Sequence, residues 1–219
     1  MELETLKDLY VDELKDLYSA ENQILKALPQ MIKKASHTSL KRAFTTHERQ
    51  TRQQVKRLER ICKQLGVSPK GKKCEGMEGL IKEAKSLIQE KPDADVLDAG
   101  LIAAAQHVEH YEMAGYGCVR TWARQMGEDR QAELLQETLD EEEQTDRLLT
   151  ELAESEINVE AEEEGEEQRP STRSRAKQGS RRGSSRNGGS SSEDEDMNEN
   201  EEESDEEAVG ASSSRSGMM

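Results

Sequence analysis

The chain has little from which to build a β-sheet. One Trp, one Phe and four Tyr are spread over 219 residues, and no run alternates apolar and polar residues with period two over a useful length, so strands are not expected. Cysteine is as scarce. Cys62, Cys74 and Cys118 are odd in number and lack a C-x-x-C pair, which argues against a disulfide framework and against a thiolate zinc site. They are expected as reduced thiols. No apolar run is long enough to span a bilayer, and the acidic, periodic start M-E-L-E-T-L-K-D-L-Y is unlike a signal or transit peptide. A cytoplasmic protein with no membrane partner is expected. Positive charge is outnumbered, 31 Lys and Arg against 47 Asp and Glu for a net charge of -16, which argues against nonspecific nucleic-acid binding by the molecule as a whole.

What is present is Leu, Ile, Val, Met and Ala in helical period, and it stops near Val159. Beyond that point Glu, Arg, Ser and Gly leave almost nothing to bury, and such a segment cannot offset the entropy of ordering. One domain over residues 1–159 and a disordered charged tail over 160–219 are expected. The tail carries an acidic block at Glu160 to Glu167, a basic block from Arg169 to Arg186 and a second acidic block at Glu193 to Glu207. A solvated tail without a fixed partner is the expectation, the basic block being the segment that could touch nucleic acid or an acidic partner.

Four long segments carry the helical period, at about Glu4 to Ala35, Ser39 to Leu65, Asp95 to Met126 and Asp129 to Ser155, with Pro29 predicting a kink in the first. The joins between the first two and between the last two are short. The middle connection is long and holds a short amphipathic stretch, Leu80 to Gln89. Two antiparallel hairpins linked by one crossover make an all-α four-helix bundle with a short extra helix, the connectivity of ferritin-like folds.

Stepping residues at about 100° around each helix shows which acids face the apolar stripe. Glu21 falls about 15° from the stripe centre of the first helix, Glu112 about 20° from that of the third and Glu142 about 10° from that of the fourth. Glu109 lies about 80° away, at the stripe edge; Thr145 and Asp146 flank Glu142 at about 50°; Asp16, His107 and His110 point outward. The second helix puts His47, Thr51 and Gln54 near its centre, Gln50 at the edge, and no centred acid. A buried, unpaired carboxylate costs several kcal/mol or shifts its pKa until neutral, so three in one core need a shared partner. A cation supplies it: carboxylate oxygens suit iron, manganese or calcium, and a bundle core is where di-iron carboxylate proteins hold their metals. His47 is open between a satisfied core histidine and a ligand, and Tyr18, Tyr111 and Tyr116 are expected as packing residues, although a Tyr near a metal can donate a hydrogen bond.

The segments L-Y-S-A-E-N-Q-I at 17–24, K-C-E-G-M-E-G-L-I-K-E-A at 73–84, D-A-G-L-I-A-A-A-Q-H-V-E-H-Y-E at 98–112 and E-T-L-D-E-E-E-Q-T-D at 137–146 resemble the bacterial YciE/YciF ferritin-like stress-protein family. The resemblance covers about residues 3–157. It implies a ferritin-like bundle related to rubrerythrin, usually a homodimer, with a carboxylate-bridged di-metal centre falling on Glu21, Glu109, Glu112, Glu142 and Asp146. Iron, or manganese, would be the cofactor, His47 would complete or orient the shell, and no catalytic residue beyond these ligands is implied. The activity implied is that of a di-iron ferroxidase or peroxide-linked oxidoreductase in stress response. Where family members read H-x-x-E-T-x-x-Q, this chain has His47, Gln50, Thr51 and Gln54, so the acid expected at position 50 is an amide. One strong ligand fewer puts two-metal occupancy in question and keeps a second reading open, a non-catalytic helical dimer with a degenerate site.

Overall fold

The computed structural model describes residues 3–167. The helices are α1 Leu6–Lys34, α2 Thr38–Leu65, α3 Glu75–Glu90, α4 Ala94–Gln125 and α5 Asp129–Leu152, followed by a π-helical turn Ala153–Ile157 and α6 Asn158–Glu167. Among the described residues there is no strand and no helix long and apolar enough to cross a membrane. α1 packs along α2 and α4 along α5, as hairpins; α3 lies over α1 and α4 as the crossover. This is the ferritin-like four-helix bundle.

Local chemistry explains the helix ends. Thr5 and Asp8 form a reciprocal capping box at the start of α1, satisfying two backbone donors that the first turn leaves free. α1 then runs through Pro29 to Lys34. α2 has no side-chain cap of its own. Asp98 of α4 supplies one, accepting from the Ser36 amide (2.9 Å), the His37 amide (2.6 Å) and the Ser36 hydroxyl (2.6 Å). α2 ends at Gly66 and the turn after α4 at Gly127, both at positive φ, where a residue without Cβ carries no steric penalty.

The last long helix does not stop at Ser155. Eight residues at 100° each would set Ile157 about 80° away from the direction of Leu149. The wider π-helical turn takes out most of that rotation, and Ile157 is buried in the same apolar cluster as Leu149. The helical path reaches Glu167, so the acidic block at 160–167 continues the last helix; the rest of the charged tail, with its basic block, lies outside the described residues.

The core is in two parts. Ile24, Leu28, Leu40, Phe44, Leu101 and Ile102 belong to one apolar cluster, and Leu14, Leu17, Leu58, Tyr116, Val119 and Leu135 to another. Along α1, Glu21 falls between Leu17 of one and Ile24 of the other. The layer between the clusters is polar.

Candidate metal centre

Each of the four long helices sends polar side chains into that layer. Glu21 comes from α1, His47, Thr51 and Gln54 from α2, Glu109 and Glu112 from α4, and Glu142 from α5; all are buried, Glu21, Glu112 and Glu142 completely. The centred positions are therefore interior, as the 3.6-residue period requires. Glu109, expected at the stripe edge, is only 1% exposed, because α3 covers that side of α4 and widens its buried arc. Asp16, expected outward, is likewise buried. It accepts from the Tyr111 hydroxyl at 2.9 Å and pairs with Lys72 of the crossover at 3.4 Å.

His47, Glu109, Glu112 and Glu142 each offer one ligand atom, and the four atoms lie within 4.8 Å of one another. His47 Nε2 is 3.4 Å from Glu109 Oε1, and its Nδ1 is 3.9 Å from Glu142 Oε2. A second set of contacts holds these groups in place. Gln54 donates to Glu142 Oε1 and, at 3.0 Å, to Glu141 Oε2; Arg57 grips Glu141 in a fork at 2.7 and 2.8 Å. Such forked pairs fix direction as well as charge. The Tyr116 hydroxyl donates to Glu21 Oε1. The Thr51 hydroxyl turns back to the His47 carbonyl at 2.9 Å, so it offers its hydrogen to its own helix.

Even so, much is left unpaired. Both oxygens of Glu112, both ring nitrogens of His47, and one oxygen each of Glu21, Glu109 and Glu142 have no hydrogen-bond partner among the described residues. A buried polar atom without a partner is costly, and here several converge on one point. Burial raises the carboxyl pKa values of Glu21, Glu109 and Glu112 well above the usual carboxylate range, neighbouring acids adding to the effect. It lifts Glu142 to about 7. Burial also lowers His47 to about 4, so at neutral pH its ring is uncharged and has a lone pair to give. Three carboxyl groups and one neutral imidazole are a donor set able to hold a metal ion, which would give the unpaired oxygens of Glu109, Glu112 and Glu142 a partner and displace their protons.

The remaining sequence-based candidates sit elsewhere. Asp146 is at the rim, accepting from Gln106 at 3.1 Å and 3.2 Å from the exposed His110, outside the four-residue cluster. Gln50, half-buried, lines a groove between α2 and α5 with Gln144 and Thr145. The α2 side of the layer is made by His47, Thr51 and Gln54. Helical period alone missed Arg57, which its spacing from Gln54 could have suggested, and the bond from Tyr116 to Glu21.

The sequence matches the family described as Domain of unknown function (DUF892) over residues 5–162. It is 46% identical to Protein YciF of Escherichia coli (strain K12) over 121 residues, which is 55% of this chain and 73% of that protein. The crystal structure of the E. coli stress protein YciF superposes with a TM-score of 0.68 at 42% identity, over 71% of this chain and 98% of that one. YcfI from Rhodopseudomonas palustris superposes at 0.66, also 42% identical, over 68% and 95% of the two chains. The matched region takes in every helix that contributes to the buried cluster, and the chain belongs to the DUF892 family, that of the ferritin-like YciE/YciF proteins.

Proposed function

We propose that this chain is a metal-dependent oxidoreductase of the ferroxidase type, or one that couples iron to peroxide, acting in stress response, with iron or manganese held in the bundle core. The observation that carries this reading is the convergence of unpaired, fully buried carboxylate oxygens and a neutral imidazole from α2, α4 and α5. His47, Glu109, Glu112 and Glu142 would hold the ion, and Glu21, buried beside them, would serve a second one. Bound iron would supply one-electron redox chemistry, with dioxygen or peroxide as the oxidant.

The chain's own residues do the rest. Gln54 holds Glu142 in place, and Arg57 holds Glu141 and through it the Gln54 amide. Tyr116 keeps one oxygen of Glu21 engaged, leaving the other free. The two apolar clusters exclude water on either side, so charge within the layer is strongly felt. A cytoplasmic homodimer is part of the same reading.

A second reading, a structural dimer without catalysis, draws on the bonds that already engage parts of the layer, Gln54 to Glu142 and Tyr116 to Glu21. Anaerobic titration with Fe(II), followed by air, separates the two. At least one ion bound per chain and oxidation faster than in buffer support the first; less than one ion, or oxidation at the buffer rate, leaves the second. Sedimentation measures the oligomer.

A further inference from the structure

An apolar cavity of about 30 Å³ lies between α1, α2, α3 and α4. Its outer residues include the exposed Gln30 and Lys85, and its inner residues are His47 and Glu109, two of the converging side chains. Between those ends the wall is aliphatic and aromatic, with Ile24, Phe44, Leu80, Ala104 and Val108 among its residues. A greasy recess that ends on metal-ligand candidates is not needed to pack the bundle. The rest of the core is closed by the same residue types, and tight packing is the norm in protein interiors.

The size and the lining select the occupant. The volume is about two to three times what a single water-sized sphere requires, yet a water needs two to four polar partners to stay, and the middle of this wall has none to offer. Hydrogen peroxide meets the same objection, since its hydrogen bonds to solvent would be lost on entry. An acyl chain is far too large. A diatomic, apolar molecule fits on both counts.

We propose that this cavity is the entry path and waiting site of dioxygen for the metal centre, so that the oxidant is the dissolved gas and α3 is the wall that admits it. The proposal rests on the metal-centre reading above and adds to it the identity of the oxidant.

Xenon, an apolar probe of similar size, tests the cavity without any metal. Metal-free protein is placed under xenon pressure, and occupancy is followed by xenon NMR for wild type, Ala104→Leu and Ala84→Leu, two plugs on opposite walls. Neither residue is a ligand. The same three proteins are then loaded with Fe(II) anaerobically and mixed with air-saturated buffer. The expected result is xenon binding in wild type, its loss in at least one folded plug variant, unchanged iron stoichiometry, and oxidation slowed about tenfold or more in that variant. The proposal is overturned if wild type takes up no xenon, or if a variant that has lost xenon and kept its iron oxidises at the wild-type rate. A wild-type chain that takes up xenon but binds no iron overturns the metal-centre reading and the oxidant path with it. Iron bound and oxidised by a chain that takes up no xenon overturns the path alone.

Discussion

Replacing Glu142 by Gln changes the shape of the layer very little and removes one titrating group from it. Burial lifts the Glu142 carboxyl from 4.5 to about 7. Between those two pH values the folded chain keeps a proton that the unfolded chain has released, so the metal-free protein loses stability as pH rises through the window. At about 1.4 kcal/mol per pH unit of displacement, the loss is about 3 kcal/mol. Glutamine has no proton to keep. The stability of Glu142→Gln minus that of wild type should therefore climb by about 3 kcal/mol from pH 4.5 to pH 7 and level off above it. Any constant change in packing drops out of that comparison. Glu21, Glu109 and Glu112 each lose a like-charged neighbour in the variant, which adds in the same direction. Urea denaturation in the presence of EDTA, at several pH values across the window, reads the difference directly. In heat the same effect is about 6–12 °C in Tm for a domain of this size. With saturating Fe(II) or Mn(II) the gap should close, because wild type gains about 2.7 kcal/mol at a hundred times the dissociation constant and the variant has lost a ligand. A difference curve that stays flat from pH 4.5 to 7 in EDTA would refute the assignment of Glu142 as a carboxyl held out of water.

His47→Gln tests the opposite sign: the free ring takes up a proton below about 6.5 and the folded one only near 4, so wild type should lose about 3 kcal/mol as pH falls through that interval while the variant does not. Denaturation curves in EDTA at pH 4 and 6.5 measure it. Asp98→Ala removes three bonds at the start of α2 and should cost about 1–3 kcal/mol, read as a Tm lower by about 4–8 °C for a loss near the middle of that range. Gln50→Glu should leave the number of ions bound per chain unchanged by metal analysis, since position 50 lines an outer groove; a second ion appearing only in this variant would show that the α2 wall reaches the core there.

Much of the layer could be read from spacing. Glu21, Glu112 and Glu142 fall at the centres of their stripes because a helix repeats every 3.6 residues whatever it packs against. What could not be read was what covers each helix. Asp16 and Glu109 lie off centre and are nonetheless buried, since α3, a crossover whose position no single-helix pattern encodes, lies over that side of α1 and α4. Gln50 is the converse: a family pattern put an acid there, and the surface it faces is the α2–α5 groove. The π-helical turn at Ala153–Ile157 was hidden because apolar spacing records which residues are buried and not how many residues a turn takes.

A bundle whose apolar core is interrupted by a polar layer has a seam. Leu17 and Ile24 lie on opposite sides of it, in separate hydrophobic clusters. Without a cation the seam is where the helices are least committed to one another, and one half can loosen while the other stands. An ion gripped from α2, α4 and α5 would act as a clasp across it. Hydrogen exchange would then show two opening units in EDTA and one in saturating metal, the ion being felt less as added strength than as unity.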